Sequence, residues 1–264
     1  MSTVTLPSQI LKNIHFASSE KMSEIDNETV QAVVTSPPYW NLKDYKHKQQ
    51  IGLVDSYERY HERLDRVWSE CQRVLRSDGT LWIVIDKIMQ YDRIVHIPYD
   101  IVGRCRKLGF HLQDMIIWNK PTAIAGMSDN NLVNKYENVV FFSKSKTFKL
   151  NVPRELKMAP DFTKDGRLTD FWRFPVKAGS IRKTPAHEAP FPEELVQRII
   201  RLSTNETDLV LDPFLGSGTT MKVALELNRM ATGYEINPDF LPIMVERLRG
   251  VESIVLTPKL GNFT

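Results

Sequence analysis

With 264 residues and 42% hydrophobic content, the chain can bury a sizeable core as one large α/β domain or two small ones. No stretch approaches the ~18 consecutive apolar residues of a membrane span, and the opening MSTVTLPSQILKNIHF lacks a secretory pattern. Two cysteines, Cys71 and Cys105, are too few for a disulfide framework, and the six histidines show no H-x-E or H-E-x-x-H spacing. These features predict a cytoplasmic protein with reduced core thiols, no membrane association and no metal.

Taken in chain order, Val30 to Val34 reads as a short buried strand ending at Thr35, followed by Ser36-Pro37-Pro38-Tyr39-Trp40. Two prolines there cannot donate to a sheet ladder and hold the chain extended. From Tyr57 to Arg76, apolar residues recur at intervals of three and four, which predicts a helix. Ser77-Asp78-Gly79 breaks it, and Thr80 to Ile85 has the character of a central strand. Pro98 to Leu108 is predicted helical, with Gly109 as its stop. Leu112 to Trp118 and Asn138 to Phe142 read as strands. This alternation predicts a mainly parallel sheet.

Residues 143–190 break the pattern. Lys144 to Lys183 holds eleven Lys/Arg against four Asp/Glu, although the whole chain carries only +3. Such a segment is the footprint expected for a polyanion partner, and equally of a solvated face. Phe162, Phe171, Trp172 and Phe174 are interleaved with the charge, suited to DNA contact or to packing of the segment. The αβ alternation then resumes: helix Pro192–Leu202, strand Asp208–Leu211, helix Thr219–Leu227, strand Ala231–Ile236, helix Pro238–Leu248.

The stretch LVLDPFLGSGTT carries a strand into a turn through Gly216 and Gly218 and then into a helix. Glycines there let the backbone approach a ligand closely. Glu235 ends the next strand, 23 residues after Asp212, where a carboxylate can accept hydrogen bonds from ribose hydroxyls. The turn matches neither the dinucleotide nor the Walker pattern. Asp212 would repel phosphate but suit the ammonium of an amino acid. S-adenosylmethionine has that ammonium, a ribose and no phosphate.

Together, TSPPYW and DPFLGSGTT resemble the DNA amino-methyltransferases, whose (Asp/Asn/Ser)-Pro-Pro-(Tyr/Phe) tetrad is catalytic and whose F-x-G-x-G turn holds S-adenosylmethionine. GTLWIV (79–84), MIIWNKP (115–121), YENVVFFSK (136–144) and APFPEELVQRII (189–200) extend the resemblance. With the tetrad first and the cofactor turn last, the order is similar to that of the β group, a circular permutation. The resemblance implies an α/β, Rossmann-like methyltransferase fold with a mainly parallel sheet and helices on both faces. It divides the chain into a catalytic half (1–142), a basic target-recognition region (143–190), a cofactor half (191–250) and a C-terminal tail (251–264). It implies catalytic Ser36, Pro37, Pro38 and Tyr39. It also implies cofactor contacts from Thr35, Phe191, Asp212, Pro213, Phe214, Gly216, Ser217, Gly218, Thr219, Glu235 and Asn237. Where family members carry Gly-Asp after their first strand, this chain reads Phe16-Ala17-Ser18-Ser19, and no cofactor role is assigned there.

An exocyclic amino group is a poor nucleophile until its lone pair is localised, and acceptors aimed at its two N–H bonds favour that change. Ser36 Oγ and the Pro37 carbonyl are the candidate acceptors, with Tyr39 as a stacking surface for a flipped base. Trp40 reads as a wall and His187 as a loop residue. Within the resemblance, Ser-Pro-Pro-Tyr leans toward cytosine N4, with adenine N6 as the alternative. An inactive DNA-binding relative and an RNA or protein-amide methyltransferase remain as rivals. The implied partners are double-stranded DNA in a prokaryotic cytoplasm, a cognate restriction endonuclease and a second copy of the chain.

Overall fold

In a computed structural model, residues 8–91, 93–121, 132–152, 161–175 and 191–251 are described. The first half contains α1 (Ser8–Leu11), β1 (Ile14–His15), β2 (Val30–Thr35), α2 (Tyr57–Val74), β3 (Leu75–Ile85) and a hairpin, β4 (Ile88–Gln90) with β5 (Arg93–Val95). Then come α3 (Ile97–Lys107), β6 (His111–Asn119), β7 (Tyr136–Ser143) and β8 (Phe171–Arg173). The last stretch supplies α4 (Glu193–Ser203), β9 (Leu209–Asp212), α5 (Thr219–Glu226), β10 (Met230–Tyr234), a 3-10 turn (Pro238–Phe240) and α6 (Leu241–Arg247).

Eight strands form one sheet in the order β1-β10-β9-β2-β3-β7-β6-β8. Only β7 runs against its neighbours; every other pairing is parallel. Strand alternation divides the side chains into two cores. On one face Val33, Leu81, Ile83 and Leu211 pack against Leu64, Val67 and Trp68 of α2 and Ile101 of α3. On the other, Ala32, Val34, Trp82 and Val210 meet Leu195 and Ile199 of α4 with Val223 and Ala224 of α5. Helices therefore cover both faces, as expected of a buried parallel sheet.

Helix α2 begins where Ser56 accepts a hydrogen bond from the Arg59 N–H, and it ends two residues earlier than its periodicity predicts. Leu75 adopts an extended conformation and pairs with Val30; the register then jumps to Ala32 against Thr80. Ser77-Asp78-Gly79 is thus a bulge within β3 rather than a break before it. Pro238 to Leu248 likewise divides into the 3-10 turn and α6. Cys71 and Cys105 lie buried in α2 and α3 as free thiols, and burial pushes both pKa values up.

The predicted insert is stitched to the body where it is described. β8 adds to the edge of β6, and Trp118 Nε1 donates to the Phe174 carbonyl at 2.9 Å. Trp172 and Phe174 are buried, so packing accounts for them, while Phe171 is exposed. The Arg198 guanidinium of α4 lies 5.1 Å from the Trp172 ring centre and 4.5 Å from that of Phe174, and it pairs with buried Asp161. Residues 153–160, 176–190 and 252–264, with His187 and five of the predicted basic residues among them, lie outside the described residues.

Candidate active site

β2 and β9 are parallel neighbours, so the tetrad and the glycine turn emerge at the same edge of the sheet. The two motifs are bonded to each other there. Thr35 Oγ1 donates to Asp212 Oδ1 at 2.7 Å, and the Phe214 N–H donates to the same oxygen at 3.0 Å. Asp212 is 2% exposed. Burial pushes its carboxyl up to about 6, against the opposing pull of the Thr35 and Thr220 hydroxyls and the Phe214 N–H. A carboxylate so placed is best balanced by a cation.

The turn after Asp212 needs its glycines. Gly216 (φ 53°) and Gly218 (φ 85°) sit in the left-handed region, and Gly218 forms the N-cap of α5. That geometry presents the first turn of α5 to the cavity. Thr219 there is 3% exposed, lines the cavity, and its hydroxyl has no hydrogen-bond partner among the described residues. A buried hydroxyl without a partner is costly, and a ligand that bonds it removes the cost.

Glu235 closes the far side. Its Oε2 accepts from the Gly216 N–H and its Oε1 from the Asn237 N–H, both at 2.9 Å, and burial raises its pKa. Each carboxylate oxygen keeps further acceptor capacity. Asn237 stands apart from the other predicted contacts. Its Oδ1 accepts from the Asp239 N–H at 3.0 Å and its Nδ2 donates to the Tyr45 carbonyl at 2.9 Å. One end of that side chain caps the 3-10 turn and the other holds the segment that follows the tetrad.

Two adjoining cavities share Ser36, Tyr45, Phe214, Gly216 and Phe240. The first adds Ala17, Ser18, Ser19, Ile51, Pro213 and Glu235. The second adds Tyr39, Trp118, Phe191, Asp212, Ser217 and Thr219. Tyr45, Ile51 and Phe240 carry no motif and were invisible to sequence reasoning. Ala17 to Ser19 occupy the cavity wall even though their sequence departs from the family pattern; their position just after β1 was the available signal.

The tetrad itself is braced from behind. The Tyr60 hydroxyl, on α2, donates to the Pro38 carbonyl at 2.7 Å. Trp40 takes a φ of 48°, and its Nε1 donates to the Asp55 carbonyl at 2.9 Å. Gly52 passes so close that a Cβ there would lie 2.5 Å from the Trp40 carbonyl oxygen. Among the described residues nothing donates to the Pro37 carbonyl, and Pro37 itself is buried between Ser36 and Pro38, which line the cavities. The Tyr39 hydroxyl donates to Glu137 Oε2 at 3.0 Å.

Apolar walls, two buried carboxylates and an unpartnered hydroxyl thus line one continuous cleft. The comparisons with known proteins agree with that composition. Residues 30–246 match the model of the N6/N4 methyltransferase family, described as DNA methylase. The Type II methyltransferase M.Cfr9I of Citrobacter freundii is 32% identical, over 89% of this chain and 86% of its own length. M.MjaI of Methanocaldococcus jannaschii is 33% identical, over 89% and 90%. Among solved structures, TTHA0409 of Thermus thermophilus, complexed with S-adenosyl-L-methionine, is 29% identical with a TM-score of 0.66, covering 90% of this chain and 95% of that one. The cytosine-N4-specific PvuII DNA methyltransferase, at 20% identity, shares the fold with a TM-score of 0.71, over 89% of this chain and 85% of its own. The chain belongs to the N6/N4 DNA methylase family, and its cofactor is S-adenosyl-L-methionine.

Proposed function

We propose that the protein methylates the exocyclic N4 of cytosine in duplex DNA at a specific site, by direct attack after the base is flipped out. The observation that carries this reading is the tetrad: Ser36 lines the cleft beside buried Asp212, and the carbonyl of the adjoining Pro37 receives no hydrogen bond among the described residues. Within the family resemblance, Thr-Ser-Pro-Pro-Tyr favours cytosine. The relatives named as Type II methyltransferases support a place in a restriction-modification system, with a cognate endonuclease as partner.

When bound, the cofactor supplies a methyl group on a sulfonium centre. The chain's own residues do the rest. Asp212 balances the ammonium of its amino-acid end, and Thr219 offers its hydroxyl to the carboxylate. Glu235 accepts from the ribose hydroxyls, while Ile51 and Phe240 wall the adenine. Phe191 and Ser217 line the passage to Ser36. Ser36 Oγ and the Pro37 carbonyl accept the two amino N–H bonds and stabilise the charge that develops on nitrogen. The Tyr39 ring stacks on the extruded base, a contact worth about 1–3 kcal/mol. Neither buried cysteine reaches this cleft, so no covalent adduct with the base is invoked.

The test is expression in a host that lacks DNA methylation, followed by nucleoside mass spectrometry and modification-sensitive sequencing of a plasmid. N4-methylcytosine in one recurrent sequence is expected. N6-methyladenine instead would overturn the base assignment. Unmodified DNA from a protein that still binds S-adenosylmethionine would overturn the enzymatic reading.

A further inference from the structure

Two of the segments that wall the first cavity belong to neither helix nor strand. One is Ala17 to Ser19, just after β1; the other is Gln49 to Ile51, in the loop that follows the tetrad. Backbone in such segments has no ladder to hold it, so its carbonyls need donors from elsewhere. A single side chain of α2 reaches both. Arg63 donates through Nη2 to the Gln49 carbonyl at 2.8 Å and through Nη1 to the Gln50 carbonyl at 3.0 Å. The same guanidinium holds the other segment by a carboxylate: Nη2 donates to Glu20 Oε2 at 2.7 Å, and Nε to both Glu20 oxygens. Glu20 follows Ser19 directly and accepts from the Ser18 hydroxyl at 3.1 Å. Nη1 also donates to Asp55 Oδ2 at 3.2 Å, and that oxygen accepts from the Gly52 N–H at 2.8 Å. Every N–H of the guanidinium is thereby used. Arg63 does not line the cavity itself; it binds both segments from outside.

We propose that Arg63 is a positioning residue for the cofactor, clasping the two loops so that the pocket for the adenosine end of S-adenosylmethionine is formed before the ligand arrives. This inference rests on the reading that places the adenosine end in the first cavity. A planar, forked guanidinium suits the task, because it addresses two carbonyls and two carboxylates in fixed directions where an ammonium is only a point charge. The side chains of Arg63, Glu20 and Asp55 are only 14%, 17% and 12% exposed, so salt screens their pairing little. Against burial, which would raise it, bonds from Arg63, Ser18 and Arg66 hold the Glu20 carboxyl below the usual carboxylate range. The second loop is also tied within itself: Gln50 Oε1 accepts from the Tyr45 N–H at 2.7 Å, and its Nε2 donates to the Lys43 carbonyl at 2.9 Å. Fixing Gln50 therefore fixes Tyr45, which lines both cavities. A wall ordered in advance spares the ligand the entropy of ordering it.

The experiment titrates the full chain by calorimetry with S-adenosylmethionine and with methylthioadenosine, which keeps the adenosine and lacks the amino-acid end. Arg63→Lys retains the charge but not the fork, and should weaken both ligands about tenfold. Glu20→Gln should also weaken both, and its loss should not multiply with that of Arg63→Lys, because the two residues act through one clasp. Arg104→Lys is the control. Arg104 of α3 pairs with Glu58 and Asp65 of the same helix α2, at 2.6 Å for Asp65, and none of these residues lines the cavity. Its affinities should stay within about twofold of the parent, as expected for a pair remote from the ligand. Equal losses from Arg104→Lys and Arg63→Lys would reduce Arg63 to general support of the fold and overturn the proposal. So would a loss for S-adenosylmethionine without one for methylthioadenosine. If Arg63→Lys does not fold, Glu20→Gln against Arg104→Lys makes the same comparison. Ala17→Trp, at an exposed position of the cavity wall, tests the underlying reading and should block methylthioadenosine. Parent affinity in Ala17→Trp would place the adenosine elsewhere and remove the basis of the proposal. Loss in Ala17→Trp with none in Arg63→Lys would strike the clasp alone.

Discussion

The proposed cofactor wall and the proposed base wall of the cleft are built on different plans. The cofactor wall is local: Asp212, the glycine turn and Thr219 are nearly contiguous, and Glu235 bonds back to the turn through the Gly216 N–H. The base wall is assembled from the ends of separate strands, with Ser36 and Tyr39 after β2, Val84 in β3, Trp118 in β6 and Glu137 in β7. A local wall can be carried intact between proteins that share a cofactor. An assembled wall can change one strand end at a time, which suits the half of the cleft that must distinguish substrates. The two plans predict separable functions, and substitutions can break or sharpen that separation.

The largest expected effect lies on the base wall. Ser36→Ala should lower the single-turnover rate by about 100-fold or more, because it removes an acceptor needed only as charge develops on nitrogen. Its cofactor affinity should stay within about twofold of the parent. Glu235→Ala should do the reverse. Losing a charge-assisted acceptor weakens cofactor binding by about 1.5–3 kcal/mol, roughly 10- to 100-fold, while the rate at saturation changes little. Rapid quench and calorimetry on the same preparations measure both quantities. If both variants lose affinity equally, the two walls are one unit and the comparison is wrong.

A smaller effect sharpens the role of Asp212. Its folded-state pKa of about 6 lies above the ordinary Asp value of about 3.9, so the folded protein without cofactor holds an extra proton between those values. Stability of that form should therefore fall as pH rises through this window. A ligand ammonium favours the ionised carboxylate, so cofactor binding must displace that proton below pH 6. The dissociation constant should rise roughly tenfold from pH 7 to pH 5, since an α-ammonium stays charged throughout that range. Asp212→Asn should flatten the dependence. A flat profile in the parent protein would place the ammonium elsewhere.

The same contrast explains what could be read from the amino-acid sequence. The strand-turn-helix of the proposed cofactor wall was legible because it lies in one contiguous stretch, and the buried strands were legible because their apolar runs are uninterrupted. Glu137 was printed inside a recognised block, YENVVFFSK, yet its bond to Tyr39 spans three strands of the sheet and leaves no spacing signal. β1, β4, β5 and β8 are two or three residues long, too short for periodicity to register. Asn237 follows Glu235 by two residues, but that its amide donates to the Tyr45 carbonyl depends on a loop nearly two hundred positions away. Trp172 and Phe174 could have been surface or core by pattern; both are buried against β6 and the Arg198 guanidinium of α4.

The smallest expected effect concerns the basic segment, which the fold divides. β7 runs away from the tetrad edge, so the residues after Ser143 lie at the opposite end of the sheet. There the Lys144 N–H donates to the Gly79 carbonyl, and Lys149 Nζ pairs with Asp208 at 3.2 Å. Arg173 instead ends β8 beside Asn119, at the tetrad edge, exposed and without an ion pair among the described residues. A segment that reads as one positive run therefore offers only part of its charge to DNA held over the cleft. Arg173→Ala should weaken DNA binding severalfold at low salt and reduce the magnitude of the slope of log affinity against log salt by about one. Lys149→Ala should leave both unchanged within about twofold and change stability by no more than about 1 kcal/mol, as expected for a partly exposed pair. Titration of a fluorescent duplex at several salt concentrations measures both variants. Equal losses from Arg173→Ala and Lys149→Ala would mean that DNA reaches around the sheet to its far edge, and that the cleft does not set where the duplex lies.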